Sequence, residues 1–447
     1  MPKVKANTCS RLQSFVSEFG SSFFLINESV LFCKLCEVKV NAQKRFTVLQ
    51  HFKTEKHIRS VNRIDKPKKS QQLIEFNLPT KKCQFNKDLC EVMLFANIPL
   101  YELENVKFRA FLQEYTGKEI PKEATLRKGY VDDCYKDTLE KIRNHVSNNK
   151  IWVSIDETTD VEGRFVANVI IGVLLTDRPG EIFLLNTEEL EKENHQIIFK
   201  LFDKSMNLLW PQGVQHDNVL LFLSDAAPYM VKSGKAFQAL YSKMVHVTCI
   251  VHGFHRVAEE IRSYFNTVDQ LISSVKKVFL KAPFRIRIFK IEAPDTPMPP
   301  QPILTRWGTW LDAAKYYYEN DASSIKKAKD IFNNPDLKAN LAFISSNYSF
   351  LSTYITRLEK QNMMLSESIS VVKTVKEKLQ SPQGAKGKAI YKKFENVLSK
   401  NEGFKIIEKI SNILDGIDNS MENLENFQVN DLQFYKFAPL TSVDVER

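Results

Sequence analysis

The spacing of apolar residues changes character near residue 150. From Asn86 to about His145 they recur at helical intervals, as in Leu89, Val92, Met93 and Ala96 and then Val106, Ala110 and Phe111, which predicts a small all-helical region. Beyond it, short continuous apolar runs take over. Ile151-Trp-Val-Ser-Ile155 has four apolar residues in five and predicts a short buried strand. Further strands are predicted at 165–175, 181–185, 219–223 and 244–250, with helices over 194–210, 229–241 and 252–265. Residues 311–430, rich in Lys, Leu, Ile and Glu at helical spacing, predict helical hairpins interrupted at Ser381-Pro-Gln-Gly384.

Two of the buried runs stop on acid. Asp156 follows the run 151–155, and Asn218-Val-Leu-Leu-Phe-Leu-Ser-Asp225 repeats the design about 70 residues later. The order β-β-β-α-β-α-β-α matches a ribonuclease H-like core, in which the first strand lies beside the fourth and brings Asp156 to Asp225. Close carboxylates repel unless a cation lies between them; a pair of Mg²⁺ or Mn²⁺ ions is the usual solution, and it points to phosphodiester chemistry. Either acid alone reads more simply as a turn former or helix N-cap, as Asp225-Ala-Ala-Pro228 could be.

Charge adds a second centre of interest. The net charge of the 447 residues is +10, and residues 1–82 hold 16 Lys+Arg against 6 Asp+Glu, so the remaining 365 carry 47 of each sign (63 − 16 and 53 − 6). A basic segment on a balanced body is the footprint of a polyanion-binding arm or of a solubilising or import tail. Within that segment stand Cys33 and Cys36, then His51 and His57, spaced C-x2-C-x14-H-x5-H, close to the template for a tetrahedral Zn²⁺ site. Both histidines are expected at the end of one helix, Phe46 to Lys56, and metal binding would supply the folding free energy of so small a unit. The same helix offers Lys44, Arg45, Lys53, Lys56 and Arg59 to DNA phosphates, and Gln43 and Gln50 to base edges. Arg63–Ser70 reads as a solvated basic linker that could double as a nuclear import signal. The seven cysteines, an odd number, predict reduced thiols, and neither a membrane span nor a secretion signal is apparent in the sequence.

The finger and its flanks, Leu31-Phe-Cys-Lys-Leu-Cys36 and His51-Phe-Lys-Thr-Glu-Lys-His57, resemble the BED-type zinc finger of hAT-family transposases and proteins derived from them. With Ala96-Asn-Ile-Pro-Leu100, Phe108-Arg-Ala-Phe-Leu112, Ile120-Pro121 and Leu126-Arg127, residues 20–135 resemble still more closely the family of CGG triplet-repeat-binding proteins. From Ile151 onward the likeness is to the hAT transposases. Ser154-Ile-Asp156-Glu-Thr-Thr-Asp160 and Leu223-Ser-Asp225-Ala-Ala look like the first two catalytic acid motifs, with Asp160 as the acid downstream. Cys249-Ile-Val-His252 looks like the C-x-x-H motif, in which His252 lies near the scissile phosphate and Cys249 supports it. Thr305-Arg-Trp-Gly-Thr-Trp310 is similar to the motif at the entry to a helical insertion, implying that Trp307 stacks on an extruded base and Arg306 holds the DNA backbone. Ser442-Val-Asp-Val-Glu-Arg447 resembles the return to the core and makes Glu446 the third metal-binding acid. His246, Cys249, His252 and His255 recur every three residues, but across a strand-to-helix junction, where side chains point in different directions and a second zinc site is not expected.

The expectation is a multidomain α+β/α/β protein. It comprises a small ββα-type zinc finger (20–62), a basic linker (63–85), a helical domain (86–147), the first part of a ribonuclease H-like mixed-sheet core (148–300), a helical insertion (301–432) and the start of the returning core segment (433–447). With 138 residues between Trp307 and Glu446 and the chain ending one residue further on, the expected core helix and dimerisation region are cut short, although a homo-oligomer stays possible. The leading functional expectation is zinc-dependent binding of double-stranded DNA in the nucleus, regulating transcription or chromatin. The rivals are an active Mg²⁺- or Mn²⁺-dependent transposase using Asp156, Asp225 and Glu446, and a protein-interaction scaffold. Whether the chain is an enzyme is left open, with the inactive alternative favoured.

Overall fold

The computed structural model describes residues 8–27, 29–64, 82–192, 194–303, 306–320 and 334–442. Glu446, Thr305 and most of the expected linker 63–85 lie outside the described residues. The chain divides into two units, Met1–Asn86 and Lys87–Arg447.

In the first unit, helix α1 (Thr8–Phe19) precedes three antiparallel strands, β1 (Phe24–Asn27), β2 (Val30–Cys33) and β3 (Val38–Val40), followed by helices α2 (Arg45–Phe52) and α3 (Glu55–Ile64). Alternation along β2 turns Leu31 and Cys33 inward, and they pack with Leu12 and Phe15 of α1, Phe24 of β1, Val40 of β3 and Val48 of α2. The expected finger thus gains a helix before residue 20 and a third strand. The single helix expected from Phe46 to Lys56 is two helices. The Thr54 hydroxyl donates to the His51 carbonyl at 2.8 Å and accepts from the His57 N–H at 3.4 Å, ending one helix and capping the next.

Helix α4 (Gln84–Phe95) begins three residues before the second unit, most of it belonging to that unit, and α5 (Val106–Thr116), α6 (Glu123–Gly129) and α7 (Val131–Val146) follow. The Asn105 side chain caps α5 by accepting from the N–H groups of Lys107 and Phe108 at 3.0 and 3.2 Å. A five-stranded mixed sheet follows in the order β6-β5-β4-β7-β8, built from β4 (Lys150–Thr159), β5 (Phe165–Leu174), β6 (Ile182–Leu190), β7 (Val219–Ser224) and β8 (Val245–Thr248). The first three strands are antiparallel; β4 with β7, and β7 with β8, are parallel. Ile151, Val153 and Ile155 share one core with Phe202 of α8 (His195–Leu209) and Phe237 of α9 (Pro228–Phe237). Trp152, Leu221 and Val247 share another with Phe254 and Val257 of α10 (Ile250–Ser263). These are the two faces of a sheet covered on both sides, which explains why its strands are continuous apolar runs.

On the α10 side the core extends through α11 (Asn266–Phe279), α12 (Pro283–Glu292), α13 (Gly308–Glu319), α14 (Pro335–Tyr348), α15 (Phe350–Leu358), α16 (Leu365–Gln380), α17 (Gly384–Ser399), α18 (Glu402–Leu414) and the short α19 (Val429–Leu432). The chain then returns to the sheet: buried Tyr435 donates its hydroxyl to the Leu220 carbonyl of β7 at 2.7 Å. Among the described residues no helix is long and apolar enough to cross a membrane.

Candidate functional site

Cys33 closes β2, and the turn after it places Cys36 beside it. The turn is held by the Glu37 N–H donating to the Cys33 carbonyl at 2.9 Å, with Glu37 itself in the left-handed region at φ 52°. His51 comes from the last turn of α2 and His57 from the first turn of α3, so the break at Thr54 turns the second imidazole toward the sulfurs. The ligand atoms of Cys33, Cys36, His51 and His57 all lie within 4.8 Å of one another. His57 Nδ1 is 3.5 Å from Cys33 Sγ and 3.2 Å from Cys36 Sγ. A tetrahedral ion with Zn–S near 2.3 Å and Zn–N near 2.0–2.1 Å separates S from N by roughly 3.5 Å, so the donor set fits. His51 Nε2 and His57 Nε2 are buried without a hydrogen-bond partner. Burial lowers both imidazole pKa values, and for His51 the charges of His57 and Lys56 add to it, favouring the neutral form that ligates a metal. Burial and the neighbouring Cys33 raise the Cys36 thiol, the pattern a cation would reverse.

All seven expected DNA-facing residues of this unit, Gln43, Lys44, Arg45, Gln50, Lys53, Lys56 and Arg59, are exposed. Arg45 is held against Glu18 of α1 and Arg59 pairs with Glu55 at 2.8 Å. Phe46, 65% exposed, was not singled out by sequence reasoning. It shares a helical face with Gln50 and Lys53 at i, i+4 and i+7, so an aromatic ring, an amide and a cation line up along one side. Its signal in the sequence was a Phe preceding the only buried position of α2, Val48.

In the second unit, the parallel pairing of β4 with β7 ends at Ser154 opposite Leu223, so Asp156 and Asp225 each stand two residues past the last pair. β4 does not stop at Asp156, as its apolar run implied; it continues to Thr159 because β5 pairs with it through Thr159 and Phe165. Asp156 and Asp225 line one cleft of about 600 Å³ together with Glu157, Asn168, His252, His255, Arg306 and Glu359. Asp225 Oδ1 accepts from the Ala227 N–H at 3.0 Å, which makes it an anchor for α9 as well as a cleft acid. Glu157 Oε2 accepts from the Tyr229 hydroxyl at 2.7 Å. Glu359, just past α15, is a cleft acid that the sequence did not mark, since nothing local distinguishes it from the other carboxylates of the helical region.

Of the four evenly spaced residues around Cys249, His246 faces away from the cleft, while His252 lies beside Cys249 and lines the cleft together with His255, closer together than the strand-to-helix junction suggested. His246 Nε2 meets the Ser224 hydroxyl at 2.9 Å, and His255 Nδ1 accepts from the Gly308 N–H at 3.2 Å, so each serves a different neighbour. Burial pushes both down to about 4, helped by Lys235 for His246 and by His252 and Arg306 for His255. Burial would push the Cys249 thiol up, but the His252 imidazole beside it brings it below the ordinary value. Cys249 Sγ also accepts from the Ser442 N–H at 3.3 Å, and the Ile250 N–H donates to the Leu440 carbonyl at 3.1 Å. Arg306 is exposed and Trp307 half-buried, with the Arg262 guanidinium 4.5 Å from its ring centroid. Asp269 holds that guanidinium at 2.6 and 2.9 Å and accepts from Trp310 Nε1 at 3.0 Å.

Together these features define a protein with an N-terminal Cys2His2 metal-site module and a mixed α/β domain carrying an acidic cleft. The model of the CGGBP1 N-terminal domain matches residues 8–63, and that of a domain of unknown function, DUF659, associated with hAT-like transposases, matches residues 121–278. CGG triplet repeat-binding protein 1 of Mus musculus is 30% identical over 131 residues, covering 27% of this chain and 78% of that protein. The Homo sapiens protein of the same name is 28% identical over 131 residues, with the same coverage. Through this N-terminal part the chain belongs to the family of CGG triplet repeat-binding protein 1.

Proposed function

We propose that the protein is a zinc-dependent, sequence-selective binder of double-stranded DNA, derived from an hAT transposase with a BED-type finger and a ribonuclease H-like core, and acting in the nucleus on transcription or chromatin. The observation that carries this reading is the convergence of Cys33, Cys36, His51 and His57 within 4.8 Å in a unit whose α2, α3 and flanking segments expose Gln43, Lys44, Arg45, Gln50, Lys53, Lys56 and Arg59. The name of the mouse and human relatives, CGG triplet repeat-binding protein 1, supports it. Zinc would fix the turn after β2 against α2 and α3, so that Lys44, Arg45, Lys53, Lys56 and Arg59 meet phosphates while Gln43 and Gln50 meet base edges. The test is retention of the full chain on a duplex selected from a random library, before and after a zinc chelator. Selective retention should vanish on chelation and return with zinc; retention that survives chelation overturns the reading.

A second reading is favoured by the shared cleft of Asp156, Asp225 and His252. Here Asp156 and Asp225, with Glu446, would hold two Mg²⁺ or Mn²⁺ ions, whose chemistry is to activate an attacking oxygen and steady the leaving one. His252 would sit at the phosphate, kept in place by Cys249, while Arg306 and Trp307 hold the backbone and an unstacked base. Mn²⁺-dependent cleavage of duplexes bearing the flanking inverted repeats, lost in Asp156→Asn, would establish it. No cleavage by the wild type, with zinc-dependent binding intact, leaves the first reading alone.

A further inference from the structure

The even balance of charge beyond residue 82 conceals a local excess. Residues 276–292 carry Lys276, Lys277, Lys281, Arg285, Arg287 and Lys290 against one acid, Glu292. Lys276 is committed to the fold: its ammonium donates to the Pro302 carbonyl at 2.6 Å. Arg285 spends one donor on the Val278 carbonyl at 3.0 Å, which fixes it at the joint between α11 and α12. Lys277, Lys281, Arg285, Arg287 and Lys290 are all exposed, and among the described residues none pairs with a carboxylate. Elsewhere in this unit surface cations do pair, as Lys204 with Glu188 at 2.8 Å, Lys393 with Glu260 at 3.3 Å and Arg357 with Glu367 at 2.7 Å.

Helix α12 is also unusual in what it leaves uncovered. It buries no residue fully; Ile286 and Phe289 lean on the core, the latter with its ring 5.4 Å from Phe279. On the outer side stand Phe284, 64% exposed, and Ile291, 71% exposed, with the Arg287 guanidinium 5.5 Å from the Phe284 ring centroid. An ordinary solvated face would place polar side chains there. Arg287 and Lys290, three residues apart, repel one another on the helix surface. The joint before the helix sets Lys281 at φ 51°, a left-handed conformation that a lysine adopts at a cost. Self-repulsion and an exposed ring in one short segment are both relieved by a polyanion that also offers an apolar face.

We propose that α12 is a second DNA contact, independent of the finger and of sequence, in which Lys281, Arg285, Arg287 and Lys290 bind phosphates and Phe284 packs on the sugar edge of the backbone. The occupant is the duplex backbone rather than an acidic protein, because regularly spaced phosphates match cations strung along a helix and deoxyribose matches the exposed ring. Such a site would let the second unit grip DNA of any sequence. Lys277 lies one turn before the joint and extends the same positive surface.

The test measures binding of the full chain to a random-sequence duplex by fluorescence anisotropy over a salt series. It compares Cys36→Ser, which removes the finger's metal site, with Cys36→Ser combined with Lys281→Gln, Arg287→Gln and Lys290→Gln. Arg285 is left alone because it holds the joint, and an unchanged thermal transition of the second unit confirms that these exposed substitutions leave it folded. The Cys36→Ser protein should still bind, and the added substitutions should weaken it at least about tenfold at low salt and flatten the log–log salt slope by about 2.7, the share of three phosphates. No binding by Cys36→Ser, or equal binding and slope by both proteins, overturns the proposal. Loss of poly-glutamate binding with DNA binding intact overturns it in favour of an acidic protein partner. The finger reading is judged separately, by the wild type's preference for its selected duplex over the random one.

Discussion

The two units hold themselves together by different means. The first has a core of few residues, Leu12, Phe15, Phe24, Leu31, Val40 and Val48 among them, and places Cys33, Cys36 and His57 inside it, with the His57 Nε2 lacking a hydrogen-bond partner. The second covers a five-stranded sheet on both faces and buries rings such as Phe202 and Phe222 with no polar group to satisfy. In a unit as small as the first the stability from burial is marginal, and a metal bound at Cys33, Cys36, His51 and His57 would add to it. If zinc fills the cluster as proposed, one chain carries a unit whose fold is conditional on a ligand and another whose fold is not.

The largest effect that sharpens this contrast is Cys36→Ser. Structural zinc sites of this type carry apparent free energies of about 10–16 kcal/mol, so the first unit should lose its fold and its zinc while the second keeps its transition unmoved. Metal analysis and calorimetry on the full chain read both at once; a first unit that stays folded without metal breaks the comparison. Phe202→Ala reverses the contrast. Its ring lies 4.2 Å from that of Phe237 and 5.6 Å from that of Phe222, so truncation should cost the second unit about 3–5 kcal/mol and leave zinc content unchanged.

Acid should act on the second unit through His246. Its folded pKa of about 4 lies below the ordinary 6.5, so the unfolded chain binds the proton first; the stability is present above 6.5 and is lost as pH falls towards 4, by about 3 kcal/mol there. His255, also held near 4, adds a slope of the same sign, so denaturant titrations of the second-unit transition between pH 7 and 4 should lose roughly half the slope in His246→Gln and the rest when His255→Gln is added. The smallest effect belongs to Phe46→Ala. An exposed ring contributes little to the fold, so stability should stay within about 0.5 kcal/mol. Affinity for the selected duplex should nevertheless drop by about 1–2 kcal/mol, roughly tenfold, if the ring touches base edges or methyl groups.

Much of this was legible in the sequence because the relevant signals were local and strong. The runs ending at Asp156 and Asp225 are apolar enough to be read as buried strands, and the strand order then placed the two acids in one cleft. The metal site was legible because Cys-x-x-Cys and a spaced histidine pair have few other uses. Less visible was whatever depends on a single hydroxyl or on a distant partner. Nothing in Lys53-Thr54 resembles a Gly or Pro break, yet Thr54 bonds to both helices and separates them. The extension of β4 to Thr159 is imposed by β5 and not by its own polar residues. Glu359 reaches the cleft only through the packing of α15, and the charge of α12 disappeared into an even count over 365 residues.

The return of the chain to the sheet also sets an order in time. The start of α10 is completed by residues that follow it far along the chain: Cys249 receives the Ser442 N–H across 193 positions, and Leu220 receives the Tyr435 hydroxyl across 215. At synthesis rates of about 5–20 residues per second, the 193 positions separating Cys249 from Ser442 take about 10–40 s to emerge. During that interval the nascent sheet carries Cys249 without the returning segment of chain whose Ser442 N–H later meets its sulfur.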